Sequence, residues 1–122
     1  MGELGDTTVV IPARNEEAAI GAVVRSVRAQ GAAVVIVADD GSTDATAAEA
    51  RSAGALVIAS RGRGYGWACH AGAAAAHGSP IIAFIDGDGS FEPEDVVALA
   101  RLVRRRARRL AARLHRADAA VD

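Results

Sequence analysis

Short apolar runs alternate along this chain with longer segments whose apolar residues recur at a helical spacing. Residues 7 to 12, TTVVIP, do not alternate with charged positions and predict a strand buried on both faces. Ile20, Val23, Val24 and Val27 then fall at i, i+3, i+4 and i+7, one stripe of a helix. For that helix Asn15 is the expected N-cap, Glu16 and Glu17 the first turn facing the helix dipole, and Gly31 the stop. AAVVIVA, residues 32 to 38, is a second strand, followed by an alanine-rich helix that Gly54 ends, and ALVIAS, residues 55 to 60, is a third. RGRGYG, residues 61 to 66, is a flexible basic loop before a helix expected over residues 67 to 77, with Gly78 closing it. Residues 80 to 86, PIIAFID, predict the fourth strand, and Pro93 suits the first turn of a last helix. Strand and helix segments in alternation predict an α/β fold: a mostly parallel sheet of about four strands with crossover helices.

Composition narrows this. A length of 122 residues is in the range of one domain that buries a core without disulfides. The core must be thin: 30 residues are alanine and only four are aromatic, so burial rests on Val, Ile and Leu. Cys69 is the sole cysteine, which excludes an internal disulfide and fits a reducing cytoplasm. The N-terminus shows no basic-then-apolar signal, and no apolar run nears the ~20 residues that cross a bilayer. The expected location is cytoplasmic, peripheral to a membrane at most.

Charge divides the chain. Residues 1 to 100 carry 13 acids against 6 arginines, a net of −7, whereas residues 101 to 122 carry 8 arginines against 2 acids, a net of +6. This separates a body, 1–100, from an Arg-rich helical tail, 101–122, in which Leu99, Val103, Leu110 and Leu114 keep a narrow apolar stripe. Such a tail is a solvated face or a docking face for an anionic membrane surface. Without interleaved aromatics, no nucleic acid is expected as a partner.

Ligands of open parallel sheets sit beyond the carboxyl ends of the strands, where strand order reverses. Three predicted strand ends carry polar sets: Pro12-Ala13-Arg14-Asn15-Glu16, Asp39-Asp40-Gly41-Ser42 and Asp86-Gly87-Asp88. In extended chain, residues i and i+2 point to one side, so Asp86 and Asp88 can aim at one point. Gly87 and Gly89 are expected to leave room for a bulky anion. Two hard oxygen donors suit Mg²⁺ or Mn²⁺ shared with a diphosphate; the plain alternative is an acidic turn before a helix. Asp39 can accept from a nucleobase or ribose, while Ser42, Thr43 or Asp44 caps the next helix. Cys69, His70 and His77 lack the spacing of a metal site, and Trp67 reads as a core anchor.

Taken together, VVIPARNEE, VADDGSTD, GYGWACHAG and FIDGDGSFEPED resemble the donor half of family 2 glycosyltransferases, inverting enzymes of the GT-A fold, over residues 7 to about 100. The nearest flavour is the branch of polyprenyl-phosphate (dolichyl-phosphate) mannosyl and glucosyl transferases. The resemblance implies a Rossmann-like nucleotide-sugar-binding sandwich and transfer of a sugar, with inversion, from a UDP- or GDP-linked donor. By it, Pro12, Arg14, Asn15 and Glu16 line the nucleotide pocket, Asp39 contacts the base and Asp40 lies close by. Asp86, Gly87 and Asp88 form the DxD segment, whose carboxylates hold metal and diphosphate. Where the family commonly has a lysine this chain has Tyr65, and Arg61 or Arg63 either supplies the charge instead or is a solvated loop arginine. VVIVADD also resembles a receiver-type phosphorylation site, but such domains share a later lysine, and this chain has none.

In the family, the acceptor site and the base that deprotonates the acceptor follow soon after residue 100. Here that stretch is the arginine-rich tail, with only Asp118 and Asp122 as acids. The expectation is therefore an incomplete donor domain with no nominated base; the alternative is a nucleotide-sugar-binding fragment without activity of its own. An unpaired outer strand is expected to invite self-association.

Overall fold

The computed structural model describes residues 2–121, with side chains through residue 117. Strand and helix alternate: β1 (Thr7–Ala13), α1 (Ile20–Ala29), β2 (Val34–Asp39), α2 (Thr46–Ser52), β3 (Leu56–Ala59), α3 (Tyr65–Ala75), β4 (Ile81–Phe84) and α4 (Pro93–Val121). The strands form one parallel sheet in the order β3-β2-β1-β4, so the chain steps outward in one direction and then returns to the other side of β1.

Alternate residues of the buried strands feed two cores. Val9, Ile11, Val35 and Val37 face α1, α2 and the start of α4, while Val10 and Ile36 face the other side with Ile58, Ile82 and Ala76. The helix on that second side, α3, lies close because it presents almost no side chain: a Cβ at Gly72 would stand 2.2 Å from Val10 Cγ1. An alanine- and glycine-rich helix is thus what this sheet face requires.

The β1–β4 ladder ends for a local reason. The Ile85 N–H donates to the Val10 carbonyl at 3.1 Å, so Val10 points toward β4 and Pro12, two residues on, points the same way. Proline has no N–H to give, and the chain leaves the sheet just before Asp86. Strand β4 is accordingly shorter than residues 80 to 86.

Three further expectations need correction. Helix α1 starts at Ile20 with Ala19 as its N-cap, not at Asn15, and Glu16 and Glu17 lie in the preceding turns. Asn15 adopts a left-handed φ of 54° and gives its side chain to another loop, which removes it from capping. Helix α3 begins at Tyr65, two residues early, because Gly64, at φ 102°, turns the chain into it. Trp67 is no core anchor: it is 45% exposed, with the Arg63 guanidinium 5.0 Å over its ring and His70 beside it.

Helix α4 runs unbroken through the 100/101 boundary. Its first turns bury Val96, Val97 and Ala100, and two arginines tie it to the N-terminal segment: Arg101 to Glu3 at 2.6 Å and Arg104 to Asp6 at 2.6 Å. From Arg105 to Ala117 every side chain is exposed.

Candidate functional site

The loops after β1 and β2 are clamped together, largely by side chains that take backbone N–H groups of the opposite loop. Asn15 donates its N–H to Ser42 Oγ at 2.9 Å and returns Oδ1 to the Thr43 N–H at 2.8 Å. Glu16 donates its N–H to Thr46 Oγ1 at 2.8 Å, and Glu17 Oε2 accepts from the Ala45 N–H at 3.0 Å. Ser42 and Thr43 are therefore cross-links and not helix caps; Asp44, which accepts the Thr46 N–H at 2.9 Å, alone resembles the expected cap.

The two acids ending β2 part company. Asp39 accepts the Ser42 N–H at 3.1 Å and shapes the turn. Asp40 is buried, with Oδ1 accepting from Ser60 Oγ at 2.9 Å and Oδ2 from the Gly64 N–H at 3.0 Å. Its carboxylate thus fastens the glycine loop between β3 and α3 to the end of β2.

These supports frame a cleft of about 360 Å³ beyond β1 and β4, where strand order reverses. One wall is Pro12, Ala13, Arg14 and Glu16; the other holds Gly64, Tyr65 and Ala68; Asp86, Gly87 and Asp88 close it, with Asp40 also at the lining. Of the residues expected from sequence, the cleft brings together Pro12, Arg14, Glu16, Asp40, Asp86, Gly87 and Asp88. Asn15 and Asp39 stand in the supporting clamp, and Arg63 is drawn over Trp67, outside the lining. Gly64 and Ala68 carry no site expectation from sequence, Ala13 figures there only as a neighbour in the first strand-end set, and Tyr65 only as the residue in the place of a lysine.

The reading of Gly87 and Gly89 as clearance for an anion needs correction. A Cβ on Gly87 would point inward, 3.2 Å from Ala13 Cβ and 3.4 Å from Ile20 Cδ1, so the missing side chain lets the segment seat on the core. Gly89 lies outside the cleft lining and supplies a turn at φ +83°. What survives is the alternation: Asp86 and Asp88 are exposed on either side of buried Gly87.

Hydrogen bonds from Ser90, including its N–H to Asp88 Oδ1 at 3.0 Å, hold the Asp88 carboxyl below its ordinary pKa. Across the cleft the Tyr65 hydroxyl stands 3.4 Å from Asp86 Oδ1; burial, then Cys69 and Asp86, raise its pKa, so it stays a donor at neutral pH. Among the described residues no group of three or more His, Cys, Asp or Glu makes a self-sufficient metal cage. Two exposed carboxylates instead fit a cation that takes its remaining oxygens from a phosphate-bearing ligand and water. The Asp118 side chain and Asp122 lie outside the described residues.

A parallel αβα sheet with a carboxylate-lined cleft at its switch point defines a Rossmann-like domain of the GT-A type. Residues 8–116 match glycosyl transferase family 2, and the chain belongs to that family. It is 45% identical over 92 residues to an uncharacterized glycosyltransferase of Mycobacterium tuberculosis, covering 75% of this chain and 41% of that one. It is also 45% identical over 97 residues to a 4,4'-diaponeurosporenoate glycosyltransferase of Staphylococcus aureus, covering 74% and 26%. Among solved structures it superposes on glucosyl-3-phosphoglycerate synthase of M. tuberculosis with a TM-score of 0.60 and 35% identity, over 67% of this chain and 34% of that one. That synthase has been crystallised with Mn²⁺, UDP-glucose and phosphoglyceric acid, and with Mg²⁺ and UDP. The chain thus spans about two fifths or less of the length of these relatives.

Proposed function

We propose that the cleft holds a nucleoside diphosphate sugar, UDP- or GDP-linked, as donor for transfer with inversion at the anomeric carbon. The observation that carries this is the convergence of Arg14, Asp86 and Asp88 on one cleft at the switch point of a family 2 fold. Asp86 and Asp88 would hold Mg²⁺ or Mn²⁺ against the diphosphate, and the ion would neutralise charge on the departing group. Arg14, exposed at the cleft lining, adds a cation for the same anion. Pro12 and Glu16 wall the nucleotide side, Asp39 and Asn15 set its loops, and Asp40 holds the facing glycine loop in place. Arg63, stacked on Trp67, takes part only if it swings away.

Residues 1–100 form the donor-binding unit in this reading, and the arginines of 101–122 form a face that suits an anionic membrane surface and a polyprenyl phosphate acceptor. No described helix is long and apolar enough to cross a membrane, and the contact in this reading is a peripheral one on the cytoplasmic side. The open edge of β4, flanked by exposed Phe84, Leu99 and Val103, suits self-association. A second reading, donor binding without transfer, rests on the carboxylates lining the cleft: Glu16, Asp40, Asp86 and Asp88 all serve the donor or its supports. An assay of transfer to a polyprenyl phosphate by the chain alone separates the two.

The donor assignment is tested by a thermal-shift panel of UDP, GDP and their sugars with and without Mn²⁺. The melting temperature should rise for at least one nucleotide, and only with the metal. Asp88→Asn, an exposed change, should leave the unliganded melt within about 0.5 kcal/mol of wild type while abolishing most of that rise. A folded protein whose melting is the same in every well would overturn the assignment.

A further inference from the structure

The described strands leave two open sheet edges, at β3 and at β4, and the two are unlike. Beside β3 stands exposed Leu56, with the basic loop of Arg61 and Arg63 close behind. At β4, exposed Phe84, Leu99 and Val103 border an apolar groove of about 240 Å³ between the strand and α4. The polar groups of this edge are also fixed. The Ile81 N–H donates to the Asp6 carbonyl and the Ile85 N–H to the Val10 carbonyl, so by alternation Ile82 and Phe84 turn their backbone N–H and C=O groups outward. Pro80, of the same parity, has no N–H to leave bare.

Charge is laid out along α4 to match. Arg101 on Glu3 and Arg104 on Asp6 hold that part of the helix level with the start of β1, whereas Pro93 follows the loop at the carboxyl end of the sheet. Helix α4 thus runs antiparallel to β4, and residues 105 to 117 overhang the amino end of the sheet by about 20 Å. The overhang carries six arginines and no acid; residues 86 to 95, at the opposite end, carry five acids and no base. Ala107, Leu110, Ala111 and Leu114 continue the helix face that buries Val96 and Ala100, but all four are exposed.

We propose that β4 pairs antiparallel with β4 of a second copy about a two-fold axis at Ala83. In that register Ile82 of each copy exchanges both backbone hydrogen bonds with Phe84 of the other, which satisfies the outward groups of both residues. Two four-stranded sheets become one. On the side of the Val10 core, where Ile82 packs, Phe84 lies against Ile82 of the second copy as an aromatic and β-branched cross-strand pair. On the other side, Leu99 and Val103 of both copies close the two grooves. Antiparallel strands bring the amino end of one sheet level with the carboxyl end of the other, so each arginine overhang runs past the acidic residues 86 to 95 of the second copy. Two overhangs packed on each other would instead set arginine against arginine. The inference rests on the self-association reading of this edge and fixes its partner, register and charge pairing; it does not depend on what the cleft holds.

The full chain is tested by sedimentation velocity over a concentration series, and by oxidation of variants that carry one cysteine in a Cys69→Ser background. Wild type should be a reversible dimer, weakened severalfold in about 1 M salt, where charges are screened beyond about 3 Å. Phe84→Lys, at an exposed position, should melt as wild type does and weaken the dimer about tenfold or more, because an edge lysine opposes strand pairing. Facing residues of a non-hydrogen-bonded pair stand about 4.5 Å apart at Cα, within reach of a disulfide. Ala83→Cys should therefore oxidise to a covalent dimer, and Leu56→Cys on β3 should not. A chain that stays monomeric at every concentration, whether or not it sediments with anionic vesicles, overturns the proposal and the self-association reading together. A dimer that ignores Phe84→Lys, or is cross-linked through Leu56→Cys and not Ala83→Cys, keeps self-association and overturns this interface. A dimer indifferent to salt overturns the charge pairing.

Discussion

Both carboxylate oxygens of Asp40 are engaged, one by the Ser60 hydroxyl and one by the Gly64 N–H, although the residue also borders the cleft. A buried acceptor of this kind is costly to remove, because the donors it satisfied stay behind without partners. Asp40→Ala should therefore destabilise the chain by about 1–3 kcal/mol in urea unfolding. It should also loosen the glycine loop that lines the cleft, so the proposed nucleotide binding should weaken as well. An unchanged unfolding midpoint would show that the tether contributes nothing. Sequence placed Asp40 at the right strand end but not in this role, since its partners are 20 and 24 residues away.

Helix α3 has an unusual requirement: it needs the absence of side chains. Gly72 sits against Val10 so closely that an added methyl has nowhere to go, and Val10 is fully buried in the central strand. Gly72→Ala gains helix propensity yet should lose about 1–3 kcal/mol net through overpacking, read as a lower melting temperature. The strands were legible because their pattern is set by burial on both faces, as with the wholly buried Thr7–Ala13. The start of α1 was not. Asn15, Glu16 and Glu17 read locally as a cap and a first turn, but hydrogen bonds to residues 27 to 30 positions onward hold them outside the helix. Tertiary pairing overrode a local preference, and nothing in the local spacing carries that information.

The long helix α4 is joined to the opposite end of the chain by Arg104 on Asp6 and Arg101 on Glu3. The Arg104 hydrogen bond is the main reason the Asp6 carboxyl falls from an ordinary 3.8 to about 2. A carboxyl lowered on folding stabilises the native state above its unfolded pKa, and that contribution fades as pH falls through the folded value. The melting difference between wild type and Arg104→Ala should thus be constant from neutral pH to about 5 and shrink between about 4 and about 2. A difference that persists undiminished at the acid end would mean that packing of the arginine stem, not the ion pair, accounts for it. The cleft was legible in sequence to the extent that its parts are strand ends: Asp86 and Asp88 were visible as a pair, and Pro12 and Arg14 as neighbours in chain. Tyr65 escaped because its meaning depends on Asp86, 21 residues later.

The sheet order also fixes a sequence of events in time. β1 is flanked by β2, made soon after it, and by β4, the last of the four described strands to be made. At roughly 5–20 residues per second of synthesis, the ~70 residues between the end of β1 and the start of β4 take several seconds to emerge. The wall of the cleft that carries Arg14, held by the Asn15 clamp to Ser42 and the Glu16 clamp to Thr46, can close during that interval, while the wall carrying Asp86 and Asp88 is still unmade. A nascent chain therefore passes through a stage with half a site and a bare edge on its central strand, which β4 must cover before a neighbouring chain does.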